Sequence, residues 1–219
     1  MTTEGDDRLL PNSPAAVAGI LAGLERDRAH AAAALEPDAG LLYATWGAAW
    51  SVGFGLMFAA RWPSSPIAVS LGVAGAVFGL LLAAAVVVTA VHLGRTMSGL
   101  RGQSSSAGRM LGWAWLLGFG TFATLMAGAG RAGADERLLD LLWPTGSGLV
   151  VGLLYVATGA MWSDRVQFGL GAGILLSSGA GALAGVPGVY LVMSVAGGGG
   201  FLLAAAVIPV VSRRAGRPR

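Results

Sequence analysis

IAVSLGVAGAVFGLLLAAAVVVTAV, residues Ile67–Val91, holds no charged residue in 25 positions. As an α-helix rising 1.5 Å per residue it would be about 37 Å long, more than the roughly 30 Å of a bilayer's hydrocarbon core. A helix bathed in water needs a polar face, and this one has none. The surround it is built for is lipid.

The rest of the chain agrees. Its 219 residues are 55% hydrophobic and 11% charged, whereas soluble domains carry about 25% charged residues. Cysteine is absent, which excludes disulfides and thiolate metal sites. All 14 basic residues are arginine. With alanine and glycine abundant, that bias points to a GC-rich bacterial genome. The net charge of +3 invites a nucleic-acid reading, but the arginines form no basic stripe interleaved with aromatics. Scattered arginine in a lipid-embedded chain acts as a topology determinant.

Working outward, the other uncharged runs mark out an all-α, polytopic membrane bundle of six spans. These are about 39–60, 67–93, 110–130, 141–163, 166–184 and 189–211. Tyr43, Trp46, Trp50 and Trp62 supply aromatics at the ends of the first. Residues 166–212 are uncharged, too long for one crossing, and Gly185-Val186-Pro187-Gly188 is the turn signal inside them. Residues 99–108 form a Gly/Ser loop, and Arg131–Asp140 reads as a solvated loop whose local ion pairs are worth little.

Before the spans lies a polar segment, residues 1–38. Its acidic start is unlike a cleavable signal, so it is expected to stay on the mature protein. Residues 1–12 read as disordered. Ser13-Pro14 is an N-cap with proline at the first helical position. Val17, Ile20, Leu21 and Leu24 then recur at helical spacing. An amphipathic cytoplasmic helix, 14–35, is expected, ended by Pro37, lying on the membrane surface or on the protein's own cytoplasmic loops. The tail, 213–219, is basic. With the N-terminus inside, eleven of the fourteen arginines fall on the inner side. Both termini are therefore expected in the cytoplasm of a bacterium, with the bundle in its cytoplasmic (inner) membrane.

A weak repeat runs through the bundle. Trp50-x-x-Gly53-Phe54-Gly55 returns 65 positions on as Trp115-x-x-Gly118-Phe119-Gly120, and Val77-Phe78-Gly79-Leu80-Leu81 is echoed by Val150-Val151-Gly152-Leu153-Leu154. Duplicated helical hairpins would produce this, as transporters often do. So would chance in an Ala/Gly/Leu-rich chain.

Glycine must do much of the packing, because lipid gives helices no hydrophobic drive to associate. Gly75/Gly79, Gly148/Gly152, Gly169/Gly173 and Gly181/Gly185 are spaced for it. Gly197, Gly198, Gly199 and Gly200 go further: four glycines cost a helix roughly 1 kcal/mol each against alanine. The run either abuts a neighbour very closely or marks a break lining a cavity. Pro144 is a second candidate break, where Thr145 and Ser147 could re-satisfy freed backbone groups. The preferred reading places Pro144 in the first turn, where proline is tolerated.

Ionisable residues at membrane depth are functional candidates by default, and this chain offers almost none. His92, three positions before Arg95 on one helical face, could bind a proton or anion near the inner mouth. The preferred reading is an interfacial histidine. No carboxylate pair, Ser-His-Asp set, metal-ligand cluster or phosphate-binding lysine loop is present, so neither catalysis nor a cofactor or metal is expected.

Trp46-Gly47-x-x-Trp50, Val91-His92-x-Gly94-Arg95 and Gly197–Gly200 followed by Phe201 resemble the small six-span integral membrane proteins of unknown function from actinobacteria. The resemblance covers roughly Leu41–Ala206 and implies no activity and no site residue. The expectation from the residues is a small permease or permease-like component for a small neutral or weakly polar solute. The alternative is a non-transporting scaffold, sensor or accessory subunit. Its partners would be membrane lipids, such a solute, a second copy or a membrane protein, and no nucleic acid.

Overall fold

The computed structural model describes residues 14–34, 38–97 and 103–214, with no strand among them. The predicted disordered start, the Ser13 cap, Pro37, residues 99–102 of the Gly/Ser loop and the end of the basic tail lie outside the described residues. Helix α1, Pro14–Ala34, belongs to a unit separate from the body that begins at Asp38.

That body comprises α2 Ala39–Arg61, α3 Leu71–Met97, α4 Gln103–Arg131, α5 Glu136–Met161 and α6 Arg165–Val192. A π-helical segment, Met193–Gly198, and α7 Gly199–Arg214 follow. By length and composition five helical runs can cross a membrane, the last being the 45 residues Arg165–Pro209.

Three helices begin on an aspartate whose carboxylate accepts first-turn N–H groups, as capping requires. Asp38 takes Leu41 N–H at 3.0 Å, Asp135 takes Leu138 N–H at 2.7 Å, and Asp164 takes those of Val166 and Gln167 at 2.9 and 3.0 Å. The Asp135 cap, with Glu136 in the favourable first turn, corrects the expected boundary. The helix starts at Glu136, so most of the expected loop Arg131–Asp140 is helical. Pro144 becomes an interior helical residue and leaves the first turn. Likewise α4 starts at Gln103, so residues 103–108 of the expected loop are helix, and α3 starts at Leu71, four residues late. The polar serines before Met110 extend the helix beyond its apolar part.

Inside Arg165–Val192, Gly185 has φ +65° and Val186 an extended backbone (φ −89°, ψ 130°), and the Val186–Pro187 peptide is cis. Only glycine enters that left-handed region freely. The chain doubles back there. A Cβ on Gly181 would lie 3.7 Å from the Cα of Val189. In a straight helix those residues would be about 12 Å apart. Further along, Gly200 meets Leu170, and Val207 lies in the same groove as Arg165. Residues 165–184 and 187–214 thus form an antiparallel pair.

Helix α3 packs on α2 and α4 on α5, while α2, α5, α6, the π segment and α7 form the centre. Phe201, directly after the glycine run, is buried among Tyr43, Trp50 and Tyr155, with ring centroids 5.3–6.1 Å away. Helices α5 and α6 approach backbone to backbone: a Cβ on Gly171 would sit 2.6 Å from the amide nitrogen of Val156. Of the expected glycine pairs, Gly148/Gly152 packs against α6, whereas Gly75/Gly79 and Gly169/Gly173 face open space. At Gly198 a Cβ would lie 2.6 Å from the backbone nitrogen of Ser51, whereas Gly199 is helical with nothing near it. Gly198→Ala should therefore lower stability by about 1–3 kcal/mol through overpacking. Gly199→Ala should be neutral or stabilising by up to about 1 kcal/mol. Thermal unfolding in detergent checks the order of the two variants, and the reverse order would contradict the packing.

Candidate functional site

The π segment lies against the middle of α2. Widening a turn to i→i+5 disturbs the regular ladder, and a neighbour supplies partners here. The Ser51 hydroxyl donates to the Ser194 carbonyl at 3.3 Å, and the Ser194 hydroxyl donates to the Ser51 carbonyl at 2.7 Å. This reciprocal exchange joins α2 to residues 143 positions away. It needs close backbones, which Gly197 against the Trp50 ring and Gly198 against Ser51 allow. Of the expected run, then, Gly197 and Gly198 abut a neighbour, Gly200 touches Leu170, and Gly199 is open.

The other expected break meets this one. A Cβ on Gly148 would collide with the Ser178 hydroxyl and the Met193 methyl, and that methyl also reaches Gly197. Met193 therefore bridges the Trp143–Gly148 stretch and the glycine run. The α5 helix is nevertheless continuous through Pro144. Proline frees the carbonyl of the residue four before it, Asp140. The Thr145 hydroxyl instead donates to the Leu141 carbonyl at 2.7 Å, and that of Ser147 to the Pro144 carbonyl at 3.2 Å. The expected re-satisfaction of the freed group by these two side chains does not occur. Ser177 and Ser178, also buried, bond carbonyls of their own helix at 2.7 and 2.9 Å.

His92 and Arg95 sit apart from this centre. His92 Nε2 accepts the Asp38 backbone N–H at 2.8 Å, tying the end of α3 to the cap of α2. Arg95 is exposed. The same pair of helices is tied deeper by Trp46 Nε1–H donating to the Thr89 hydroxyl at 3.1 Å.

At the opposite end is a cluster the sequence reading did not assemble. Arg61, the last residue of α2, pairs through Nη2 with Asp140 at 2.5 Å and Glu136 at 2.7 Å, both on α5. Side-chain exposure is 23% for Arg61 and 17% for Asp140, but 74% for Glu136. The buried Tyr190, from the returning arm of the α6 hairpin, is in interaction range of both Arg61 and Asp140. Asp140 is thus no member of a solvated loop. Helical spacing places Glu136 and Asp140 four apart on one face once the helix begins after the Asp135 cap, but nothing in the sequence singles out Arg61 as their partner.

The arrangement separates two chemistries. Hydroxyls and backbone carbonyls line the centre, and charged groups stand at the ends: Asp38, Asp164 and Arg165 at one, Arg61, Glu136 and Asp140 at the other. No family model matches the chain, and neither the curated proteins nor the solved structures hold a significant match.

Asp140→Asn should lower stability by about 1–3 kcal/mol, since it leaves a mostly buried arginine half-partnered. Glu136→Gln, at the exposed arm, should lower it by less than about 1 kcal/mol. A double-mutant cycle with Arg61→Gln, read by thermal unfolding in detergent, checks this. Equal effects at the two carboxylates would refute the ranking.

Proposed function

We propose that this chain is a six-span protein of the bacterial cytoplasmic membrane, with both termini in the cytoplasm. It works there as a small permease, or a permease-like component, for a small neutral or weakly polar solute. The observation that carries the proposal is the non-α backbone at Met193–Gly198, in the middle of the bundle and paired with Ser51. Discontinuous helices at membrane depth are where transporters place their binding sites. Non-regular backbone is tolerated there only inside protein or beside a cavity.

The reading of six crossings is supported by the doubling-back at Gly185–Val186, which divides the longest apolar run into two antiparallel arms. The orientation follows from the arginines, eleven of which lie on the side assigned to the cytoplasm. A neutral solute follows from the placement of charge. An ionic solute in hydrocarbon surroundings needs a counter-charge, and the charged groups stand at the two ends. The exchange between Ser51 and Ser194 is the polar feature such a solute would meet, and the Arg61–Asp140 pair closes the outer end above it.

Purified protein in liposomes should move at least one member of a panel of small neutral solutes. Replacing Ser51 and Ser194 together by alanine should slow that flux by up to about tenfold, the worth of one hydrogen bond. Absence of any flux, together with no solute raising the melting temperature, would remove the permease reading. A periplasm-active reporter fused to the C-terminus should stay inactive, and its activation would overturn the orientation.

A second reading, a scaffold or accessory subunit, is favoured by α1 alone. Its Val17, Ile20, Leu21 and Leu24 are all exposed, forming an apolar stripe available for docking. Capture of one reproducible membrane partner, lost on deleting residues 1–38, would favour it.

A further inference from the structure

Between α6 and α7 runs an open apolar groove of about 290 Å³. Its floor is Gly169 and Gly173, where a Cβ would meet nothing within 4 Å. Leu203 and Val207 form the α7 wall, and Arg165 stands at its mouth. From Arg165 to Ile174, at the deep end, is nine residues of helix, about 14 Å. That is the depth of one leaflet, half of a hydrocarbon core of about 30 Å. The groove closes beside Ala196 and Gly200, at the level of the π segment.

We infer that this groove binds one acyl chain of an anionic phospholipid from the cytoplasmic leaflet, with the lipid phosphate held by Arg165. The inference rests on the six-span placement above and is independent of transport. Three observations support that occupant. The cavity is apolar along its length and cationic at one end, which is the inverse of a phospholipid. Arginine's planar fork matches phosphate oxygens two at a time. The half-exposed Trp162, three residues before Arg165, marks the headgroup level where tryptophan collects. The acid adjacent in sequence, Asp164, has its Oδ1 engaged by the N–H groups of Val166 and Gln167. Among the described residues both ion pairs belong to Arg61, so the exposed Arg165 guanidinium is not held by a carboxylate. Glycine at 169 and 173 is explained as well. These residues do not pack helix on helix, and larger side chains would fill the groove.

The test uses full-length protein in detergent, equilibrated with mixed micelles containing either phosphatidylglycerol or phosphatidylethanolamine. Retained lipid is counted by native mass spectrometry. Phosphatidylglycerol should be retained about tenfold more strongly, and Arg165→Gln should erase that preference. Gly173→Leu should abolish retention of both lipids without lowering the melting temperature, because it projects into open space. Should that variant unfold, Gly169→Leu repeats the measurement. Arg109→Gln, an exposed arginine assigned to the same side on α4, should change nothing. Equal retention of the two lipids by the unaltered protein, or full retention after the groove is filled, would overturn the inference. Recovery of the chain as a soluble species without detergent would instead remove the membrane placement on which it rests.

Discussion

In hydrocarbon an amide or carbonyl has no water to turn to, so every departure from the α-helical ladder must find its partner inside the protein. The turn at Met193–Gly198 is the departure that shapes this molecule. Its partner is another backbone, reached through two serine hydroxyls. That exchange is feasible only where two helices come within side-chain-free distance, which Gly197 and Gly198 provide. Phe201 follows directly and is enclosed by aromatics from α2 and α5. One backbone irregularity thus accounts for the glycine run, the serine pair and the aromatic centre together.

The ends of the bundle follow a different rule. Aspartates cap α2, α5 and α6, where the helix dipole favours negative charge, and all three caps lie at helix starts near the ends of the spans. Arg61 uses the same end of α5, reaching Glu136 and Asp140 one turn apart. Charge desolvation is costly, so ionised groups gather where water is near, and the depth between is left to hydroxyls, carbonyls and rings. This division is the physical basis for expecting an uncharged solute.

The two glycines of the internal echo each face the following helix. Gly53 takes the ring of Phe78 from α3, and Gly118 takes Val150 from α5 at 3.1 Å from its would-be Cβ. Each is the glycine of a Trp-x-x-Gly-Phe-Gly stretch packing on the next helix. The surroundings diverge. Trp50 is buried in the centre, whereas Trp115 is half-buried, stacked on Phe119 and edge-on to Tyr155. The first hairpin supplies the core helix α2 and the second supplies α5, with α3 and α4 as their outer companions.

Much of the fold was legible because lipid imposes a one-dimensional rule. An uncharged run of sufficient length must be a helix, whatever it packs against, so the helices at Tyr43, Phe78, Phe119, Leu153 and Ile174 could be read from residue type alone. The turn at Gly185–Gly188 was legible for the same reason, since a run of 45 residues exceeds any bilayer. Helix starts were less so: Asp135 moved the start of α5 outward and carried Pro144 into the helix interior, because a cap acts through a backbone geometry that composition does not report. The candidate site divided likewise. The sequence marked Gly197–Gly200 as exceptional, but the pairing of Ser51 with Ser194, the meeting of Gly148 with Met193, and the joining of Arg61 to Asp140 join residues 45 to 143 positions apart. Hydropathy determines that a helix exists and where its apolar middle lies. Which face of it meets which neighbour depends on the shapes of all the helices at once, and only the tertiary structure decided that.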